Sequence, residues 1–152
     1  MIRLLLVDDH PVVRTGYQRL LEQAGDISVV AQADRVDLAY AEFVAHTPDV
    51  TVTDLSMPGS GGLELIRRIL ARDASARVLV FSMHDSALLV RRAFDAGARG
   101  FLSKSSAPEK LIEAVRADMD FTLPPREMLR STIGAFLSYI DANRASWIVL
   151  YT

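Results

Sequence analysis

Short apolar runs alternate with longer stretches of helical period along most of this sequence, and that alternation sets the fold class. It occurs five times between residues 2 and 117, with apolar runs IRLLLV (2–7), ISVVAQA (27–33), DVTVTD (49–54), RVLVFS (77–82) and GFLSK (100–104). Strands that are almost continuous in Val, Leu and Ile are buried on both faces, as in a parallel sheet covered by helices. We therefore predict an α/β fold with a doubly wound, five-stranded parallel sheet.

The helical stretches between these runs carry suitable boundary residues. They are predicted at 11–25, 36–46, 62–73, 86–97 and 107–117. Gly25 and Gly97 are placed to end helices, because glycine adopts the left-handed conformation that follows a last turn. Ser106 and Glu109 have the spacing of a capping box that would open the fifth helix.

Composition excludes several classes of protein. The 17 basic and 19 acidic residues give a formal charge of -2, which provides no overall attraction to nucleic acid or anionic lipid. The chain has no cysteine, which excludes disulfides and thiolate metal sites and favours a cytoplasmic location. The start, MIRLLLVDDH, has only six residues before its acids, too few for a signal peptide or membrane span.

Polar residues follow the predicted strands at one edge of the sheet. Asp8 and Asp9 follow the first strand, Asp54 the third, Ser82 the fourth and Lys104 the fifth. In doubly wound sheets the functional crevice lies beyond the carboxyl ends of the strands. Each residue alone could be a turn former or a helix cap, but together they predict a site.

The chemistry of this site follows from its charges. Three neighbouring carboxylates repel one another unless a cation lies between them, and oxygen ligands select Mg²⁺ or Mn²⁺. An aspartate left free can attack phosphorus to form an aspartyl phosphate, so we expect Asp54 to accept a phosphoryl group. The glycines of PGSGG, residues 58–62, would allow a tight loop beside it. His10 adjoins the acids, but a histidine before Pro11 is more commonly a helix-entry residue, and it is assigned no role.

With these residues in place, the chain resembles the receiver domain of a two-component response regulator over residues 1–117. The segments that carry the resemblance are VDDHPVVRTG, TDLSMPGSGGLEL, VLVFSMHD and GARGFLSK. They are similar in particular to the NarL/FixJ subfamily, whose receivers precede a LuxR-type DNA-binding domain. The resemblance implies a flavodoxin-like fold with strand order 2-1-3-4-5, and a signalling module rather than an enzyme, one that catalyses only its own phosphorylation and dephosphorylation.

The resemblance also implies a role for each site residue. Asp8 and Asp9 would bind Mg²⁺ together with Asp54 and the main-chain carbonyl of Ser56. Asp54 would accept the phosphoryl group from a histidine kinase and so control an output, in the parent family transcription. The Ser82 hydroxyl would bond the bound phosphoryl group, and Lys104 would contact it. Phe101 falls on the position of the switch aromatic, which moves inward when Ser82 moves toward the phosphate; its alternative is a plain core residue.

Other classes fit less well. A haloacid-dehalogenase-like phosphatase would need a second aspartate where Ser56 stands, and an FMN-binding flavodoxin would need a phosphate-binding loop where DDHPVV stands. The alternative that stays open is a degenerate, truncated or fused receiver that acts as a phosphorylation-independent dimerisation or binding module.

Residues 118–152 form a second predicted unit, a linker and helical tail without a helix-turn-helix. RSTIGAFLSYIDANRASWIVLYT slightly resembles the helical effector domain of tetracycline-repressor-type (TetR) regulators. An amphipathic helix is expected at 126–143, with an apolar stripe formed by Leu129, Ile133, Phe136, Leu137 and Ile140. An isolated helix of this kind is marginal, so the stripe must be buried, either on its own receiver or on a second copy. We expect a homodimer joined partly through residues 126–152, and no DNA or membrane binding by this chain.

Overall fold

Five βα units in sequence build the structure, as the alternating pattern predicts. The protein is described by a computed structural model, which covers residues 1–57, 61–120 and 148–150. The elements are β1 (Ile2–Val7), α1 (Pro11–Gln23), β2 (Ile27–Ala33), α2 (Val36–His46), β3 (Val50–Thr53), α3 (Gly61–Arg72), β4 (Val78–Ser82), α4 (Ala87–Ala96), β5 (Gly100–Ser103), α5 (Glu109–Asp120) and β6 (Ile148–Leu150). The predicted helix at 126–143 lies outside the described residues.

The strands form one sheet in the order β2-β1-β3-β4-β5-β6. The first five are parallel, so the predicted α/β fold and its order 2-1-3-4-5 are confirmed. The sixth strand was not predicted: Ile148–Leu150 pairs antiparallel with β5, Gly100 opposite Leu150. An edge strand offers unpaired N–H and C=O groups, and a short apolar segment can satisfy them without displacing a helix.

The two faces of the sheet carry separate hydrophobic cores. Leu5 and Val7 of β1 contribute to a core shared with α2, α3 and α4, where Phe43, Ile66 and Phe94 pack. Leu4 and Leu6 of the same strand point to the opposite face, into a core shared with α1 and α5. Because successive residues of a strand alternate between faces, both sets must be apolar. This explains why residues 4–7 of β1 are all apolar.

Two helix ends form as the sequence predicts, and one helix start does not. Gly97 follows α4 at φ 115°, and Gly25 lies just after α1 at φ 86°, both left-handed as expected. The capping box of Ser106 and Glu109 is not formed. The Ser106 N–H instead bonds to the Ser103 carbonyl at 3.1 Å in a turn, its hydroxyl has no partner among the described residues, and α5 begins at Glu109.

The fifth helix continues to Asp120, three residues beyond its predicted end, and this extension carries a buried ion pair. Asp118 Oδ1 lies 3.1 Å from Arg99 Nε, and both side chains are 3% exposed. Burial raises the pKa of Asp118 although Arg99 and Arg77 oppose it, and burial lowers the pKa of Arg99. The pair ties the end of α5 to the start of β5. Within the described part of the chain, no helix is long and apolar enough to cross a membrane.

Candidate functional site

Strand register places two aspartates side by side. Val7 at the end of β1 pairs with Thr53 at the end of β3, so the next residues, Asp8 and Asp54, emerge together. Both leave buried strands and remain buried themselves, at 3% and 5% exposed. The Asp54 N–H donates to the Val7 carbonyl at 3.1 Å, which extends the strand pairing to the site.

Lys104, which follows β5, contacts both of these carboxylates. Its Nζ donates to Asp8 Oδ2 at 2.6 Å and to Asp54 Oδ2 at 2.9 Å. Ser103 pairs with Ser82 at the ends of β5 and β4, so Lys104 is the first residue after its strand. The lysine therefore reaches across β4 to the two central strands, as the sequence predicts for the strand-end cluster.

At this contact, hydrogen bonds outweigh the effect of burial on the pKa values of Lys104 and Asp8. Burial disfavours the ammonium, yet hydrogen bonds to Asp8 and Asp54 outweigh it, and the pKa of Lys104 is raised. Burial likewise acts to raise the pKa of Asp8, but hydrogen bonds from Lys104 and the His10 backbone prevail and lower it. Asp8 and Lys104 are therefore charged at neutral pH.

Asp9 and His10 complete an acidic group at the edge of the crevice. Four atoms that could bind a metal ion, one each from Asp8, Asp9, His10 and Asp54, all lie within 4.8 Å of one another. Asp9 Oδ1 is shielded from solvent and has no hydrogen-bond partner among the described residues. The sequence analysis assigned His10 no role, because a histidine before Pro11 is more commonly a helix-entry residue than a ligand.

A divalent cation fits this group. Three carboxylates face one ammonium, so the residues hold an excess of two formal negative charges. A shielded carboxylate oxygen without a donor is costly unless a cation neutralises it. Carboxylate oxygens are the ligands that Mg²⁺ prefers, and Asp8, Asp9 and Asp54 supply them.

Ser82 lies at the end of β4 between the aspartates and the lysine strand. It is fully buried, its hydroxyl accepts a hydrogen bond from the His84 N–H at 3.1 Å, and its carbonyl accepts one from the Lys104 N–H at 2.9 Å. The structure thus places Ser82 on the strand beside Lys104. Its predicted bond to a phosphoryl group remains a prediction.

The loop after β3 approaches Asp54 closely. The Ser56 N–H donates to Asp54 Oδ1 at 3.2 Å, while the predicted role of the Ser56 carbonyl remains a prediction. A Cβ on Gly62 would lie 2.2 Å from the Asp54 carbonyl oxygen and 2.9 Å from Leu55 Cα. Only glycine fits there, which confirms that a glycine brings this loop against Asp54; residues 58–60 lie outside the described residues.

Arg14 supports the site from α1, and sequence reasoning missed it. Its Nη1 donates to the Asp8 carbonyl at 2.6 Å and its Nε donates to Gln32 Oε1 at 3.0 Å. Gln32 Nε2 in turn donates to Gln18 Oε1 at 2.8 Å. These hydrogen bonds fix the backbone between β1 and α1. They form only because β2 lies beside α1, which the sequence alone does not show.

Phe101 lies on β5, three residues before Lys104. It is fully buried on β5, where it pairs in register with Val80 of β4. This position is that of a core residue as well as of a switch aromatic, and the switching role remains a prediction.

Comparison with known proteins agrees with this geometry. The family model described as the response regulator receiver domain matches residues 4–116. Response regulator UvrY of Escherichia coli (strain K12) is 39% identical over 117 residues, which are 77% of this chain and 54% of UvrY. The nitrate/nitrite response regulator protein NarL of the same strain is 35% identical over 143 residues, 94% of this chain and 65% of NarL. The chain thus spans about half the length of relatives such as UvrY.

Solved structures give the same result. A two-component response regulator of the LuxR family from Aurantimonas sp. SI85-9A1 is 40% identical, with a TM-score of 0.79, and the match covers 90% of this chain and 97% of that one. The signal receiver domain of the putative response regulator NarL from Mycobacterium tuberculosis is 35% identical, with a TM-score of 0.76, and covers 80% of this chain and 98% of that one.

Proposed function

This chain belongs to the response regulator receiver family, and from that premise we propose that Asp54 accepts a phosphoryl group from a histidine kinase in a Mg²⁺-dependent reaction. The proposal is carried by one observation: Lys104 Nζ bridges the buried carboxylates of Asp8 and Asp54. A lysine that merely stabilised the fold would not need to be buried between two acids at a crevice.

The transfer step uses groups already in place. A carboxylate oxygen of Asp54 attacks the phosphorus of a phosphohistidine, the new O–P bond forms, and the N–P bond breaks with its electrons going to the imidazole. Lys104 Nζ, which donates to Asp54 Oδ2, would bond the transferred phosphoryl oxygens and neutralise their charge. The Ser56 N–H holds the other Asp54 oxygen and orients the carboxylate.

Asp8, Asp9, Asp54 and the Ser56 carbonyl would hold Mg²⁺, and the bound ion would supply positive charge to the phosphoryl oxygens. Arg14 keeps the Asp8 backbone in position for that set through its 2.6 Å bond. Ser82, buried at the end of the adjacent strand, would exchange its bond from His84 for one to the phosphoryl group. Phe101 on β5, whose side chain is already fully buried, would then be held in this inward position and pass the change to the surface.

The output of this switch is the regulation of transcription in the proteins it resembles, including the transcriptional activator protein ExaE of Pseudomonas putida, 42% identical over 113 residues. We infer that the phosphoacceptor domain, predicted at residues 1–117, includes the whole of α5 to Asp120, because Asp118 pairs with Arg99; the role of the tail that follows stays a prediction. We also infer that the chain forms a homodimer. The chain would act as a signalling module that catalyses only its own phosphorylation and dephosphorylation.

Phosphorylation is tested by intact-mass measurement after incubation with Mg²⁺ and an acyl phosphate. The wild type is expected to gain one phosphoryl group, Asp54→Asn none, and Asp73→Asn, an exposed carboxylate that bonds Ser75, the same as wild type. Excess chelator is expected to stop labelling. Equal labelling of Asp54→Asn would refute the acceptor and favour the alternative, a phosphorylation-independent binding module.

Dimerisation is tested by sedimentation of the full chain beside a chain that ends at Asp120. This end point keeps α5 whole and preserves the pair of Arg99 and Asp118. Loss of the dimer in the shorter chain would assign the contact to the tail. The same oligomeric state in both would exclude the tail as the contact.

A further inference from the structure

We propose that His10 is a nitrogen ligand of the metal site, and that it gives the site a preference for transition-metal divalent cations such as Mn²⁺ and Ni²⁺ beyond that of the carboxylates alone. The inference rests on the proposed function, because it concerns the same cation. It changes the expected chemistry of the site, since the sequence predicts oxygen ligands only.

Distances within the acidic group carry the proposal. His10 Nδ1 lies 2.9 Å from Asp9 Oδ1 and 3.2 Å from Asp8 Oδ1. Neighbouring ligands of an octahedral cation with bonds of about 2.1 Å are separated by about 3.0 Å. Each of the two carboxylate oxygens is therefore spaced from the imidazole nitrogen as a neighbouring ligand would be.

The backbone holds the histidine in this place. The His10 N–H donates to Asp8 Oδ1 at 2.9 Å, and Pro11 begins α1 at the next residue with a fixed φ. These constraints aim the ring at the acids, while the side chain is 65% exposed and needs little desolvation. A nitrogen at this point can bind a cation without disturbing the core.

A second observation comes from Asp9. Its Oδ1 is shielded from solvent, yet the nearby His10 nitrogen does not have hydrogen-bond geometry to it, and no other described residue donates to it. The same nitrogen lies within hydrogen-bond distance of Asp8 Oδ1, at 3.2 Å, and a cation bound between the groups would take the place of that proton. Asp9 Oδ1 and the nitrogen then lie side by side, as two ligands of one cation are.

Ligand chemistry then predicts the selectivity. Mg²⁺ favours oxygen and gains little from an imidazole, whereas imidazole suits the later divalent transition metals, whose affinities rise from Mn²⁺ to Ni²⁺. His10 should therefore contribute little to Mg²⁺ binding, more to Mn²⁺ and most to Ni²⁺.

Titration calorimetry of the full chain with Mg²⁺, Mn²⁺ and Ni²⁺ tests this order. Since loss of even an outer-shell partner costs about 10–100-fold in metal affinity, His10→Ala is expected to weaken Ni²⁺ at least about tenfold and to change Mg²⁺ by less than about threefold. His46→Ala is the matched control, because His46 pairs with Glu42 at the end of α2. Unchanged urea midpoints would show that the variants are folded.

Pulsed electron paramagnetic resonance of bound Mn²⁺ provides a direct readout. Wild type and His46→Ala should show coupling to a coordinated imidazole nitrogen, and His10→Ala should lose it. Mn²⁺ bound without that coupling, or equal weakening of all three metals in His10→Ala, would overturn the role of His10 and leave the phosphoacceptor proposal intact. Failure of the wild type to bind any of the three metals would overturn both.

Discussion

Replacing Gly62 by alanine is expected to damage the site through the backbone alone. The added Cβ would lie 2.2 Å from the Asp54 carbonyl oxygen and 2.9 Å from Leu55 Cα, and both are main-chain atoms. Ordinary contacts between such atoms are about 3.5–4.0 Å, so the loop must move by more than about 1 Å. Overpacking of this kind costs about 1–3 kcal/mol of unfolding free energy.

The displaced atoms belong to Asp54, the proposed phosphoacceptor, and to its neighbour Leu55, so function should fall as well. A misplacement of about 1 Å can cost about 100-fold in rate, and we expect Gly62→Ala to label with an acyl phosphate at least about tenfold more slowly than wild type. Urea unfolding measures the stability, and the time course of intact mass measures the labelling.

Gly16 provides the matched control. It lies in the interior of α1, and a Cβ added to it would have no neighbouring atom within 4 Å, so Gly16→Ala should stabilise by up to about 1 kcal/mol through helix propensity and label normally. If Gly62→Ala were as stable as wild type to within about 0.5 kcal/mol and labelled at the same rate, the close approach would not constrain Asp54 and the reasoning would fail.

Further predictions concern the charged groups. Lys104→Met should destabilise the chain in chelator by about 3–5 kcal/mol, because two buried carboxylates lose their ammonium, and Mg²⁺ should restore part of this loss in urea titrations. In the same variant, chemical shifts of β4 and β5 should respond less to phosphorylation than in wild type; a full response would exclude Lys104 as a coupling residue. Because the folded pKa of Asp8 is lowered, its stabilising contribution is present above the unfolded value of 3.8 and is lost as pH falls through the folded pKa. Asp8→Asn should therefore flatten the acid limb of the stability curve, and an unchanged limb would contradict this. Arg99→Met alone should cost about 3–5 kcal/mol, whereas Arg99→Met with Asp118→Leu should cost less than the single change; additive costs would contradict the burial argument.

Much of the site was predictable because strand ends are encoded locally. Asp8, Asp54, Ser82 and Lys104 each follow an apolar run, and parallel pairing brings such ends to one edge whatever the helices do. The contact of Lys104 with two acids follows from that edge and from the length of its side chain. The features that depended on distant backbone were not predictable, and Arg14 is an example, since its partner Gln32 comes from β2.

Local propensity also misled in two places. Ser106 and Glu109 have the spacing of a capping box, but the Ser106 N–H closes a turn with Ser103, so the helix begins later. No strand was predicted near the end of the chain, yet Ile148–Leu150 pairs with β5; the dimer contact through residues 126–152 stays a prediction. In both places a backbone hydrogen bond decided the outcome, a short-range one at Ser103 and a long-range pairing at β5.

The sequence by itself determined the order of the elements and the two-sided burial of the sheet, because hydrophobic periodicity acts over a few residues. It also determined which acids, hydroxyl and lysine emerge at the carboxyl edge. Only the tertiary structure decided that His10 Nδ1 lies 2.9 Å from Asp9 Oδ1, and that Gly62 must lack a side chain. Those facts depend on how a loop or helix start is held against a strand, and contact geometry at the scale of one ångström is set by the packing of the whole fold.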